Sequence, residues 1–190
     1  MEAQHLLEEE RNKYRELVYN LPIVIYSVLP DANATFEFIS DKIKDWTGYE
    51  PEEFLGESLI NLSILYPDDL ERSIEEYIKA IKNTEKYDLE YRLVHNKTGN
   101  ITHVRDYALP ITDKNNKIIK YNGILIDITD RKKAEKKLKK SEQRLKESEE
   151  KFRTMADQSL VGIQIIQNGE LKYINKKARS FTGIAENGMN

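Results

Sequence analysis

The sequence predicts an α+β domain: two strands, several short helices and one longer helix, then three consecutive antiparallel strands. Three observations predict it. Apolar and polar residues alternate from Tyr87 to Val94, with Tyr87, Leu89, Tyr91 and Leu93 on one face and Asp88, Glu90 and Arg92 on the other. Turn words at Asn96-Lys97-Thr98-Gly99-Asn100 and Asp113-Lys114-Asn115-Asn116 cut residues 87–128 into three strands. From residue 131 onward the pattern switches to a heptad and no breaker interrupts it.

The elements follow in order. Residues 3–21 read as an amphipathic helix, with Leu7, Tyr14, Leu17 and Leu21 on one stripe and Pro22 marking its exit. Ile23 to Leu29 and Thr35 to Ser40 read as strands separated by the turn at Asp31-Ala32-Asn33-Ala34. Asp41 to Gly48 and Pro51 to Gly56 read as short helices, each closed by glycine. A longer helix starts at Pro67-Asp68-Asp69, its acidic first turn matched to the helix dipole, with Leu70, Ile74, Ile78 and Ile81 along one face. Strands at Ile101 to Thr112 and Lys117 to Ile128 complete the set, and Thr129 is placed to cap the helix that follows.

In that helix Ala134, Leu138, Ser141, Leu145, Ser148, Phe152 and Met155 form an a/d seam, with serine at two positions. Residues 131–140 hold seven Lys or Arg, superficially like the basic region of a DNA-reading zipper. The seam continues through them, however, and acidic turns follow, so a solvated coiled-coil face is expected and no nucleic-acid partner. An internal repeat then begins. Lys151-Phe152-Arg153-Thr154-Met155 echoes Lys13-Tyr14-Arg15-Glu16-Leu17, and Val161 to Ile166 echoes Val24 to Val28. Leu171-Lys172-Tyr173-Ile174-Asn175 through Phe181-Thr182-Gly183 echoes Phe36-Glu37-Phe38-Ile39-Ser40 through Trp46-Thr47-Gly48. The expected organisation is an N-terminal amphipathic helix over 1–21, a domain over 22–130, a coiled-coil helix over 131–158 and the start of a second copy over 159–190.

Composition bounds the chemistry. A 39 % hydrophobic share supports one compact core, and a 33 % charged share, above the usual quarter, suits long exposed helices. A net charge of −3 gives no field toward nucleic acid or anionic membrane. With no cysteine, disulfides, thiolate metal sites and cysteine nucleophiles are excluded. No apolar run reaches the ~20 residues of a membrane span and Met1 to His5 is no signal peptide, so a cytoplasmic protein without membrane insertion is expected. Phosphate-binding glycine loops, metal-ligand spacings, catalytic triads and the signatures of kinases, cyclases and phosphodiesterases are absent, so no enzymatic activity is expected of this chain.

Several words in order carry a family resemblance. Phe38-Ile39-Ser40 with Trp46-Thr47-Gly48-Tyr49, then Tyr66-Pro67-Asp68-Asp69, then Glu90-Tyr91-Arg92-Leu93 with Gly99, and finally Asp127-Ile128-Thr129-Asp130-Arg131-Lys132 into Ala134-Glu135 together resemble the PAS domain with its C-terminal PAC motif. The resemblance spans about residues 10–135 and restarts near 150. It implies a five-stranded antiparallel sheet in the order 2-1-5-4-3, with helices on one face over a small cavity. It also implies a sensory or regulatory role, detecting a small ligand or a partner's state, as in multi-PAS histidine kinases, with the signal leaving through the helix after the last strand. Residues 131–158, with residues 3–21, would form a homodimer. Asp127, Thr129 and Arg131 would form the relay, with Asp127 paired to Arg131 and Thr129 capping. The fourth strand carries His103 where many relatives carry tryptophan.

Candidate cavity residues are Tyr26, Phe38, Trp46, Ile78, Tyr91, Leu93 and Tyr107, with Asp106 and Asn122 offering polar contacts; the same aromatics could instead fill the core. The pattern leaves open which face of residues 101–112 points inward, that of His103, Arg105, Tyr107 and Leu109 or that of Val104, Asp106 and Ala108. Without cysteine the flavin-cysteine photocycle is excluded. Haem is disfavoured, since residues 67–83 hold no histidine and His95 and His103 read as surface residues. No metal site is expected, and the cofactor, if any, is unknown. The alternative function is a protein-interaction or dimerisation scaffold with a cavity filled by side chains.

Overall fold

The computed structural model describes residues 22–56 and 59–182. The helix expected over residues 3–21 lies outside the described residues. The chain divides into two units, Met1–Lys132 and Lys133–Asn190, each taken by itself below.

The first unit is built on β1 (Ile23–Val28), β2 (Phe36–Ile39), β3 (Tyr87–Val94), β4 (Ile101–Thr112) and β5 (Ile118–Asp127). All four pairings are antiparallel and the order is β2-β1-β5-β4-β3, the order the resemblance implies. Between β2 and β3 run α1 (Ile43–Thr47), a 3-10 turn (Pro51–Phe54), α2 (Ile60–Ser63) and α3 (Pro67–Asn83). Proline at the first turn, Asp68 and Asp69 behind it, and Thr84 in the left-handed conformation after the last turn fix the ends of α3. The side chains α3 turns inward are Ser73, Ile74, Tyr77, Ala80 and Ile81, a stripe rotated from the expected one. Ile78 is consequently 36 % exposed.

Cross-strand register puts Ile39, Tyr26, Gly123, Ala108 and Tyr87 in one rank across the five strands. The two smallest residues stand at its centre: the Tyr26 ring lies over Gly123, and open space begins over Ala108. The neighbouring rank sets Val24, Leu125 and Asp106 side by side. The face of β4 that points inward is therefore the one bearing Val104, Asp106 and Ala108, all buried. Between β1 and β2 the register shifts at Ser27/Val28, so that Val28 pairs Phe36 while Ser27 pairs Phe38. The extra residue, Glu37, throws the two phenylalanines onto opposite faces. Phe36 packs in the core against Tyr26 and Phe54, and Phe38 is 48 % exposed on the other side.

In the second unit, α4 (Thr129–Gln158, its first turn belonging to the first unit) is one continuous helix, on which Leu138, Leu145 and Met155 are exposed and Phe152 packs against Tyr173. A hairpin follows, β6 (Gln164–Gln167) and β7 (Glu170–Ile174), turned by Asn168 and Gly169, both at positive φ, and then α5 (Lys176–Thr182). The strand expected from Val161 starts only at Gln164. Residues before it are occupied by a junction around Asn175, which is fully buried. Asn175 donates from Nδ2 to the carbonyls of Ala156 and Val161, and its Oδ1 accepts from the amides of Ile163 and Ala178. Its counterpart by the repeat, Ser40, closes the same corner of the first unit, accepting the Ile25 amide at its Oγ. Among the described residues, no helix is long and apolar enough to cross a membrane.

Candidate functional site

Over Ala108 and beside the Tyr26 ring lies a cavity of about 110 Å³ between the sheet and the helices. A water molecule needs roughly 10–15 Å³ of such space, so several waters or one small molecule fit. Its floor is Tyr26, Ala108, Tyr121 and Leu125 from the sheet; Phe54, Ile64, Ile74 and Tyr77 close it from the helical side. Asn33 and Asn61, joined by a 2.9 Å bond from Asn61 Nδ2 to the Asn33 carbonyl, sit at its rim.

One charged side chain lines this cavity among the described residues. Asp106 is 6 % exposed, and its two oxygens each accept a phenol: Tyr26 donates to Oδ1 at 2.5 Å and Tyr91 to Oδ2 at 2.8 Å. The reach of Tyr26 depends on Gly123 across the β1–β5 pair, since a Cβ there would lie 2.3 Å from the Tyr26 ring. Burial pushes the Asp106 carboxyl up to about 7, although the two tyrosine donors act the other way. Burial and the neighbouring carboxylate push the Tyr26 and Tyr91 phenols well above their usual range, so both stay donors. The other phenols are fixed by main chain: Tyr77 donates to the Leu29 carbonyl at 2.9 Å and Tyr121 to that of Glu85 at 3.0 Å.

Of the expected cavity residues the structure brings together Tyr26, Tyr91, Leu93 and Asp106. The other five are corrected. Phe38 is turned outward by the bulge opposite Ser27, and Phe36 takes its place. Trp46 is buried in the core but does not reach the cavity. Ile78 lies off the inward stripe of α3, where Ile74 and Tyr77 stand instead. Tyr107 and Asn122 sit on the parity of β4 and β5 opposite to Asp106 and Gly123, and so on the outer face of the sheet, Tyr107 beneath the Lys86 ammonium. Neither His95 nor His103 lines the cavity; His95 Nδ1 accepts the Lys97 amide in its hairpin turn.

A second constellation lies where β5 runs into α4. The Thr129 hydroxyl accepts the His103 amide at 2.9 Å, and the Ile128 amide donates to the His103 carbonyl at 2.8 Å. Asp127 Oδ1 accepts the Thr129 amide at 2.7 Å. The Thr129 side chain thus ties the helix start to β4 and does not cap its own helix. The expected Asp127–Arg131 pair is replaced: Arg131 and Lys132 both reach Glu90 on β3, and their hydrogen bonds hold its carboxyl below the usual range. Sequence reasoning missed Glu90 because its partners lie some forty residues downstream.

Residues 36–125 match a family model described as PAS fold, and residues 150–190 match another described as PAS domain. The chain belongs to the PAS family. A methyl sulfide methyltransferase-associated sensor from Methanosarcina acetivorans is 29 % identical over 131 residues. That stretch is 67 % of this chain, which spans 13 % of the relative's length. Among solved structures, a sensory box histidine kinase/response regulator from Burkholderia thailandensis superposes with a TM-score of 0.55 at 20 % identity, covering 71 % of this chain and 98 % of that one. The N-terminal domain of a diguanylate cyclase with PAS/PAC sensor from Marinobacter aquaeolei gives 0.51 at 18 %, covering 56 % and 95 %. At these identities the structural likeness speaks for the PAS fold alone.

Proposed function

We propose that this chain is a sensory PAS module of a cytoplasmic signal-transduction protein, taking up a small ligand in the cavity and relaying its presence through α4. One observation carries the reading: β4 serves both ends. Asp106 stands in the cavity, and His103, on the same strand, holds Thr129 at the start of α4. A change in how Asp106 is satisfied shifts β4, and the helix start is fastened to that strand. The output, a histidine kinase, a cyclase or another effector, would lie in a longer protein, as the names of the relatives suggest. Readout would run through a homodimer formed by the exposed seam of α4, whose Ser141 and Ser148 keep its packing marginal and switchable.

Native mass spectrometry of the 190-residue chain, purified gently without additions, tests the reading. A reproducible extra mass supports sensing. A dimer at bare polypeptide mass favours the second reading, a protein-docking scaffold, for which the exposed Phe38, Leu109 and Ile119 of the outer sheet face speak.

Two expected results address the relay. Thr129→Ala removes the acceptor for the His103 amide, costs about 1 kcal/mol, and speeds hydrogen exchange at that amide by roughly the corresponding fivefold; an unchanged His103 amide would remove Thr129 from the relay. Leu138→Lys with Leu145→Lys places charge on the seam and shifts the chain toward monomer in analytical ultracentrifugation. A dimer of undiminished affinity would place the interface elsewhere.

A further inference from the structure

The cavity is walled by rings. Tyr26, Phe36 and Phe54 form one run with centroids 5.6 and 5.9 Å apart, and Tyr87, Tyr77 and Tyr121 form another at 6.0 and 6.2 Å. Among the described lining residues there is no lysine, arginine or histidine, and the single ionisable acid is Asp106. Nearby basic groups on and beside β3 and β4 are engaged with other acids: Arg92 with Asp69, Arg105 and Lys86 with Asp88. A carboxylate buried away from any cation carries a desolvation cost of several kcal/mol, which two phenol donors only partly offset. It also has acceptor capacity left, since two oxygens offer about four lone-pair sites and two are used.

On the sensory reading above, we propose that the cavity takes a small organic cation, a protonated or quaternary amine, with Asp106 as its counter-charge and the tyrosine and phenylalanine faces as its walls. The rings attract a cation through their negative faces, by about 0.5–2 kcal/mol each once water is excluded. An anion would meet Asp106 as a like charge, and a neutral donor would relieve its cost only by a hydrogen bond, with no counter-charge. At about 110 Å³ the space suits a molecule of few heavy atoms, well below the roughly 300–1,000 Å³ of sites for drug-sized ligands.

The groups facing Asp106 set its pH response. They are the phenols of Tyr26 on β1, of Tyr87 and Tyr91 on β3 and of Tyr77 on α3, with Asp88 of β3 adding a repulsion; Gly123 and Leu125 on β5 bring no charge. All four phenols are neutral near neutral pH, so Asp106 alone switches. Binding of a permanent cation strengthens as the pH rises and Asp106 ionises.

The test titrates tetramethylammonium, trimethylammonium and choline into the 190-residue chain by calorimetry at pH 8 and pH 5.5, beside the neutral isostere tert-butanol and the anion pivalate. Expected are binding of at least one cation at pH 8, weakening about tenfold or more at pH 5.5, and no binding of tert-butanol or pivalate. Asp106→Asn, which keeps the shape, should lose cation binding about tenfold or more, while Asp88→Asn, a charge removed outside the cavity, should retain it. Equal binding of cation and tert-butanol, or full affinity in Asp106→Asn, overturns the cation assignment and leaves ligand sensing standing. Silence from every cation also overturns it. In that case an extra mass in the native spectrum keeps the sensory reading, and a bare mass ends both.

Discussion

Asp106→Asn is expected to remove a fall in folding stability that the wild-type chain shows between about pH 4 and pH 7. The sign follows from linkage. The Asp106 carboxyl titrates near 3.8 when exposed and at about 7 in the fold, so between those values the folded state holds a proton that the unfolded state has released. Stability contributed by that proton is complete below about pH 4 and is lost as the pH climbs through 7. Three units correspond to something on the order of 4 kcal/mol. Asparagine keeps the acceptor for Tyr26, turns an amide donor toward Tyr91 and never ionises, so the variant should lie within about 1–2 kcal/mol of the wild type near pH 4 and gain a few kcal/mol relative to it by pH 8. Asp69, Asp88 and Glu90 act in the opposite sense, being held low by Arg92, by Arg105 and by Lys132 with Arg131 respectively. Their contribution is common to both proteins and cancels in the difference. Urea denaturation at pH 4.5, 6 and 8 measures it, and parallel wild-type and variant curves would show that Asp106 is not buried as an acid.

Gly123→Ala should cost about 2–3 kcal/mol, at the upper end for overpacking a filled core, and should also uncouple Tyr26 from Asp106. The added methyl would lie 2.3 Å from Tyr26 Cζ and 2.5 Å from its hydroxyl oxygen, so the ring must swing away from β5. Its hydroxyl then leaves Asp106, and the ring moves into the space the cavity now occupies. A lowered midpoint in thermal denaturation tests the first effect. The second is tested by the Tyr26 ring resonances and by the pH dependence above, which should steepen with one donor gone. A variant of wild-type stability would show that the ring does not lie over Gly123.

Much of the fold is readable from residue order because its elements carry local signatures: the alternation of Tyr87 to Leu93, the turn words around it, the proline and aspartates opening α3. The site is less readable, for reasons that are local too. Strand β4 bears charge on both parities, Arg105 on one and Asp106 on the other, so alternation cannot tell which enters the core. Phe36 and Phe38 would share a face in an unbroken strand, and only the partner register reveals that Glu37 is an extra residue between them. The rotation of α3 that puts Tyr77 inward and Ile78 outward reflects the rings of Tyr87 and Tyr121 that Tyr77 meets, contacts with other elements that the helical period does not encode. Gly123 was the available signal, since glycine inside a strand marks a close approach by something else.

The fastening of α4 to the sheet has a bearing on how such a chain can change over generations. On the β4 side it uses only the main-chain amide and carbonyl of His103, so any residue other than proline at that position can supply it. The requirement for particular side chains falls instead on Asp127 and Thr129. Substitutions along β4 can therefore retune what the cavity recognises while the connection to the effector stays intact. What the protein detects and what it drives are free to diversify separately, with the hinge between them spelled in atoms that nearly every amino acid shares.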